Sequence, residues 1–428
     1  MNKHIRRSGR WRATRAGSLV TLATAVVLLT AACGSSSDDK SGDAAGGDSG
    51  AKVSTVTLGE ITDLSGTASV YGKPENQGAQ IAVQEINAAG GIKSLGGAQL
   101  KLKTYDTQSS ADQGTSQATA AVADKVSAIF GGEISDTVIA GTNVTQRAGI
   151  PWVNAGGTAN EIFARGYDTV FTVNKDSDQY GGGWAEAIRL AASALGISNP
   201  KVVIAYSDTT YGQQLLDGFT KNASGMTIAS KFSYPASTTD YSSVAARLAS
   251  ADADVIFNAG YPGDGIALGK LFASKFTPKA KVVIAGGSDA TDVLTQLKDQ
   301  ANSLLALGDL TPESKGVPAS FTTMYQAYQS KFGEIPNTQA LAGYLAVRVI
   351  AQALEDAKSA DAAKITTALK SVQLTAENGN IYPAPATISF ASNGSLKEAP
   401  IYLSQITGGK QVLVYPDTVA GSQIVAYR

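Results

Sequence analysis

From residue 53 onward the chain repeats one cycle: a short apolar run, a turn of glycine and hydroxyl residues, then a stretch with helical spacing of apolar positions. The first cycle is the clearest. Val53, Val56, Leu58 and Ile61 lead into Asp63-Leu64-Ser65-Gly66-Thr67 and Tyr71-Gly72. A helical pattern follows through Ala79, Ile81, Ala82, Val83 and Ile86 and stops at Gly90-Gly91-Ile92. The spacing predicts a strand, a loop and an amphipathic helix. Loops of this kind leave backbone N–H groups at a strand end, where ligands are held. The stretch Leu58 to Ile92 therefore reads as one wall of a small-molecule site.

The cycle recurs. Residues 100–105 read as a strand closed by Asp106, 109–125 as an alanine-rich helix, and 126–130 as a strand delivered into Gly131-Gly132-Glu133-Ile134-Ser135-Asp136-Thr137. A helix over 138–148 stops at Gly149, and a buried strand at 150–153 delivers Asn154-Ala155-Gly156-Gly157-Thr158. The series restarts with a strand at 170–173 and a helix opened by Gly181-Gly182-Gly183-Trp184. Strands follow at 201–206, 228–234, 254–259 and 281–285, with helices from Tyr211-Gly212 and over 241–248. Their loops carry Ser207-Asp208, Gly260-Tyr261-Pro262-Gly263-Asp264 and Gly286-Gly287-Ser288-Asp289. Repeated strand–loop–helix units predict parallel sheets with helices on both faces. Two sets of loops predict two α/β lobes around a cleft. Past residue 304 the pattern changes to a strand-like 304–307 and helices over 321–332, 338–358 and 362–369. Tail strands at 388–390, 399–403 and 411–415 follow, with turns at Asn393-Gly394 and Gly408-Gly409.

The first residues stand outside this pattern. Lys3, Arg6, Arg7, Arg10, Arg12 and Arg15 precede an apolar run over 19–29 and then Thr30-Ala31-Ala32-Cys33, the arrangement of an export signal. The run is shorter than the 20 or so residues that a membrane span requires. Small residues before a lone cysteine resemble the lipobox of bacterial lipoproteins, which implies removal of 1–32 and lipidation of Cys33; a secretory signal with a buried free thiol is the alternative. Residues 33–52, rich in Gly, Ala, Asp and Ser, read as a flexible tether. What remains, about 375 residues, suits two domains.

Six of the 35 basic residues lie in the signal, leaving 29 against 36 acids and a net charge of −7. That balance argues against a nucleic-acid partner, which calls for a basic footprint. His4 and Cys33 are the only histidine and cysteine. A Ser-His-Asp triad, a Cys-His pair and a His- or Cys-based zinc site therefore have no residues to be built from. Catalysis by carboxylates, Lys, Tyr or Ser-Lys stays open.

Of the loop motifs, Gly263-Asp264-Gly265 through Gly269 follows a strand, but no acidic residue closes a following short strand as a dinucleotide site requires. Ser135-Asp136-Thr137 and Gly156-Gly157-Thr158 read as helix N-termini with free N–H groups, suited to an anion or to plain capping. Tyr71, Tyr211 and Tyr261 each border a glycine at a strand end and suggest aromatic walls. Trp152 reads as core, Trp184 as core or cleft. Asp208, Asp264 and Asp289 could receive an ammonium or amide, or serve as caps.

The motifs Asp63-Leu64-Ser65-Gly66-Thr67, Tyr71-Gly72 and Glu85-Ile86-Asn87-Ala88-Ala89-Gly90-Gly91-Ile92, with Gly149-Ile150-Pro151, Ala164-Arg165-Gly166-Tyr167 and Tyr211-Gly212, resemble one family. It is the type I (Leu/Ile/Val-binding-like) periplasmic substrate-binding proteins of ABC importers. The resemblance implies two Rossmann-like lobes with parallel central sheets, three hinge crossovers near Asn174, Gly308 and Lys397, and a ligand cleft between the lobes. Lobe 1 would comprise 53–174 plus 309–397, and lobe 2 would comprise 175–308 plus 398–428. By position, Ser135, with Asp136 beside it, and Gly156-Gly157-Thr158 would hold a substrate carboxylate, with Ser65 and Tyr71 lining the pocket and Tyr211 and Tyr261 closing from lobe 2. The acid that receives the ammonium in amino-acid-specific members falls at Ser288, with Asp289 next. Glu133-Ile134-Ser135-Asp136 replaces a serine-rich run. These departures widen the expected ligand from an amino acid to related amides and aromatic acids.

The expectation is a monomeric, non-catalytic, cofactor-free receptor outside the cytoplasm. It would be anchored to the membrane through Cys33 and would deliver a small polar or amphipathic solute to an ABC permease. A sensory binding protein is the second reading. A carboxylate hydrolase using Asp136 and Asp289 is the third.

Overall fold

The computed structural model describes residues 53–308, 310–383, 386–398 and 401–427, and the side chains of Pro262 and Asp289 are outside that description. Cys33, the expected signal and the tether also lie outside the described residues. The first half builds an all-parallel sheet from β1 (Thr55–Thr62), α1 (Ser69–Ala88), β2 (Gln99–Asp106), α2 (Ala111–Ala123), β3 (Ala128–Phe130), α3 (Ser135–Ala148), β4 (Trp152–Asn154), the one-turn α4 (Glu161–Ala164) and β5 (Val170–Thr172). Its strand order is β2-β1-β3-β4-β5.

The chain then leaves this sheet for a second one. Here α5 (Ser177–Ala194), β6 (Lys201–Ser207), α6 (Thr210–Lys221), β7 (Thr227–Tyr234), α7 (Ser242–Ser250), β8 (Val255–Ala259), α8 (Pro262–Ser274), β9 (Val282–Asp289), α9 (Ala290–Leu297) and β10 (Leu305–Leu307) follow in turn. It next returns to the first core with α10 (Ala319–Phe332), α11 (Thr338–Ala357) and α12 (Ala362–Leu369), which share one apolar cluster with β1 and α1. A last passage adds the antiparallel hairpin β11 (Leu403–Thr407) and β12 (Lys410–Tyr415) to the second sheet, giving the order β12-β11-β10-β9-β8-β6-β7. Three passages thus connect two lobes. Apart from the hairpin the pairing is parallel.

Packing explains where elements depart from the sequence pattern. Helix α1 begins at Ser69, so Tyr71 and Gly72 occupy its first turn rather than the loop before it. A Cβ on Gly72 would overlap the Asp63 carbonyl, so glycine lets the helix start against the strand end. Helix α5 opens at Ser177 under a capping box, in which Asp176 accepts from Gln179 N at 2.8 Å and Gln179 Oε1 accepts from Asp176 N at 3.0 Å. Gly181, Gly182 and Gly183 are therefore interior. Gly181 lies against the Gly218–Phe219 backbone of α6, and Gly183 lies against Ile401. Trp184 is core, fully buried with its ring 5.6 Å from Phe257, and Trp152 is core with Nε1 donating to Gly131 O at 2.9 Å. The strand expected at 281–285 runs on as β9 to Asp289, which takes Ser288 and Asp289 out of a loop. Residues 388–390 make only single bridges, Leu374 to Ile388 and Phe390 to Leu396, and the strand expected at 399–403 begins at Leu403. The Gly263–Gly269 motif lies within α8 rather than in a phosphate loop. No described helix is long and apolar enough to cross a membrane.

Candidate functional site

The loops at the strand ends of lobe 1 are tied to one another. Asp106, at the end of β2, accepts from Leu64 N at 3.0 Å, Ser65 N at 3.2 Å and Ser65 Oγ at 2.7 Å. Desolvation pushes this carboxyl up, but those bonds and one from Gln108 N hold it below its usual range. Ser65 is exposed, yet its hydroxyl is committed to the staple. Tyr71 is half-buried at the start of α1.

Ser135 begins α3, and its Oγ accepts from Thr158 N at 3.2 Å and Ala159 N at 3.1 Å. Gly132 O accepts from both Gly156 N and Gly157 N at 2.9 Å, and Asn154 Oδ1 accepts from Gly157 N at 2.9 Å. The N–H groups expected to be free at Gly156, Gly157 and Thr158 are therefore engaged inside the lobe. Nor does this loop start a long helix, because only the single turn of α4 follows. What it does is fasten the β4 loop to the β3 loop through the Gly132 carbonyl and the Ser135 hydroxyl. Asp136 is exposed in the first turn of α3.

In lobe 2, Thr209 caps α6 by accepting from Gly212 N at 3.1 Å, which sets Tyr211 in the first turn. Tyr261 caps α8 and is 39 % exposed. The two rings stand 5.0 Å apart and tilted by 35°. Behind them Asp264 accepts from Tyr261 N at 3.0 Å, from Tyr234 Oη at 2.7 Å and from Tyr241 Oη at 2.6 Å, while Asn258 Nδ2 donates to Tyr234 Oη at 2.9 Å. Asp264 is thus an anchor for the aromatic wall. Asp208 is engaged within the lobe as well, accepting at 2.7 Å from Ala236 N in the turn after β7. Ser288 is fully buried against Gly265 of α8, and Asp289 ends β9.

The lobes meet across these loops. Desolvation raises the Tyr261 hydroxyl, and the charge of Asp136 on the other lobe adds to this. Asn160 N donates to Gln214 Oε1 at 2.8 Å, and Asn160 Nδ2 donates to Asp178 Oδ1 at 3.1 Å. The structure so brings Asp136 and Tyr261 into one region, with Tyr211 packed against Tyr261 and Ser135 beside Asp136. It does not bring Ser288 to the surface of that region. A separate small pocket lies at the passages between lobes, with Lys175, Tyr180, Gly308, Tyr382 and Tyr402 in its walls.

Sequence reasoning missed three things: the Tyr234–Tyr241–Asp264 anchor, the Asn160 contacts, and a group of inward acids, Glu60, Asp63, Glu75 and Glu133. Only Glu60 left a signal, as an acid inside the apolar run Val56 to Ile61. It is fully buried, and burial raises it to about 7, against donation from Asn76 and Thr104.

Two α/β lobes joined by three passages, with strand-end loops facing each other, define a solute-binding protein of the two-lobed class. The sequence profile described as periplasmic binding protein matches residues 55–411, and the chain belongs to that family, in its type I branch. It is 30% identical over 383 residues to the Leu/Ile/Val-binding protein homolog 7 of Brucella melitensis, covering 86% of this chain and 93% of that one. Among solved structures, the branched-chain amino acid transporter substrate-binding protein of Streptococcus pneumoniae in complex with isoleucine shares 22% identity at a TM-score of 0.70, covering 87% of this chain and 100% of the other. A solute-binding protein of an ABC transporter from R. palustris, in complex with benzoate, shares 16% identity at a TM-score of 0.70, with 86% and 98% covered. These two likenesses establish the fold. Members of the family bind small-molecule solutes outside the cytoplasm and work with ABC permeases.

Proposed function

We propose that this chain is the receptor of an ABC importer and closes its lobes on a small amphipathic solute, either an amino acid with an apolar side chain or a related amide or aromatic acid. Lobe 1 (53–174 and 309–397) contributes Ser135, Asp136 and Tyr71, with Thr158 beside them. Lobe 2 (175–308 and 398–428) contributes Tyr211 and Tyr261. The observation that carries the reading is the Tyr211–Tyr261 ring pair of one lobe, 5.0 Å between ring centres, within electrostatic reach of Asp136 on the other. Stacked aromatics take the apolar part of a ligand, and hydroxyl and carboxylate groups orient its polar end. A ligand touching both lobes stabilises the closed form, which a permease can then recognise. The isoleucine and benzoate held by the two structural neighbours support this class of ligand. Cys33 carries the lipid that keeps the receptor at the membrane.

A thermal-shift panel of leucine, isoleucine, valine, benzoate and simple amides tests the reading. Binding to the native state raises the midpoint, by about 2.7 kcal/mol of added stability at a ligand concentration of 100 Kd. At least one panel member is expected to raise the midpoint and to shrink the particle in X-ray scattering. A panel with no shift, or a binder that causes no compaction, refutes the proposal.

A further inference from the structure

The inward acids of lobe 1 have no role in the reading above, yet they lie directly behind its loops. Glu60 and Asp63 stand on β1 and the turn after it, Glu75 on α1 four residues beyond Tyr71, and Glu133 two residues before Ser135. Glu60, Asp63 and Glu75 are fully buried, and Glu133 turns its carboxyl inward. The carboxyls of Glu75 and Glu133 are within hydrogen-bonding reach of each other. Thr62 Oγ1 donates to Glu75 Oε2 at 3.2 Å, while neither Glu75 Oε1 nor Glu133 Oε1 has a donor among the described residues. Glu75 Oε1 lies 2.5 Å from where a Cβ on Gly131 would stand, and Glu133 Oε2 would overlap a Cβ on Gly156.

Among the described residues, the charges that face this pair are acids. Glu60 and Asp63 face it from the β1 side, and α11 meets Glu75 with the backbone of Gly343. The ion pairs described in this lobe, Lys103–Asp124, Arg348–Glu85 and Lys370–Asp168, include neither member of the pair. Two touching carboxylates with more acids around them cannot both stay ionised in a buried site. One proton between them replaces the repulsion by a hydrogen bond.

We propose that Glu75 and Glu133 share one proton at neutral pH and act as positioning residues, fastening the Tyr71-bearing start of α1 to the turn that carries Ser135. Glu133 also backs Gly156, so the same bond sets the β4 loop. Burial raises both groups, Glu133 to about 7 and Glu75 well above the ordinary range, with the Glu133 charge adding to the latter. Ligand affinity is then proton-linked, a consequence that rests on the cleft being the binding site. The bond itself does not depend on that reading.

The test uses the full mature chain. At pH 7.5 the infrared difference between wild type and Glu75→Gln is expected to show the C=O stretch of a buried protonated carboxyl. In the ligand-free protein, amide exchange at Ser135, Thr158 and Ala159 is expected to speed up as pH rises past the pair's titration. It should be fast at every pH in Glu75→Ala and independent of the pair's titration in Glu75→Gln, whose amide donates to Glu133 without titrating. If Glu75→Ala does not fold, wild type against Glu75→Gln decides. Absence of the band, or the same pH profile of exchange in both, overturns the proposal. Leucine affinity, measured by calorimetry, is expected to fall by up to about tenfold per pH unit above the titration in wild type and to lose that slope in Glu75→Gln. A chain that shows the band and the exchange profile but binds no panel ligand refutes the cleft reading and leaves the shared proton standing.

Discussion

At the scale of single residues, Ser135 and Tyr261 sit in contrasting surroundings. Ser135 Oγ is the acceptor for the N–H groups of Thr158 and Ala159, so its removal leaves two donors on a half-buried loop. An unsatisfied buried donor costs about 1–3 kcal/mol. Ser135→Ala is therefore expected to lower stability by an amount in that range, read by chemical denaturation, and to weaken binding as well. Tyr261 differs because its ring is partly exposed and packs against that of Tyr211. Tyr261→Ala is expected to leave the unfolding midpoint nearly unchanged while costing about 2 kcal/mol of binding, or about thirtyfold in Kd by calorimetry. Equal losses of stability and affinity in both variants would show that Tyr261 is structural.

At the scale of elements, the helix pair α1 and α11 holds the first lobe's site from behind. A Cβ on Gly78 would overlap the Ala340 carbonyl, and one on Gly343 would overlap the Glu75 carbonyl, so the two helices touch backbone to backbone. Helix α11 is apolar nearly all round because it is enclosed, with Leu345, Val349, Ile350 and Leu354 all fully buried. Gly343→Ala must push the helices apart, at a cost of about 1–3 kcal/mol. The expected result is a lowered thermal midpoint and a loosened first turn of α1, seen as faster amide exchange around Gly72. Lobe 2 solves the same problem differently. Its aromatic wall is pinned by the Asp264 carboxylate and two buried tyrosine hydroxyls, a polar network rather than a helix contact.

At the scale of the whole molecule, the inward acids make stability depend on pH. Glu60 has a folded-state value of about 7 against an ordinary 4.5, because burial penalises its charge. A group raised in this way contributes stability that is fully present below about 4.5 and is lost as pH rises through about 7. The shift corresponds to something on the order of 3 kcal/mol. Carboxyls held low, such as Asp106 and Asp168, act in the opposite sense but only at more acidic pH. The midpoint is therefore expected to fall between pH 5 and 8, and Glu60→Gln is expected to flatten part of that slope. A midpoint that rises over the window would contradict the buried-acid account.

Much of this protein was legible along its chain. The alternation of apolar runs, small-residue turns and helical stretches determined two sets of strand–loop–helix units. The segment Glu85 to Ile92 placed them in their family. These features are local, set by period and turn chemistry within a few residues. Only the tertiary structure decided that Ser288 is buried against Gly265, that Trp184 is core, and that the N–H groups of Gly156 to Ala159 turn inward to Gly132 and Ser135. It alone gathered Glu60, Asp63, Glu75 and Glu133 behind one loop. Burial and hydrogen-bond partnership depend on residues tens to hundreds of positions apart, and no periodicity in the chain encodes which of them will meet.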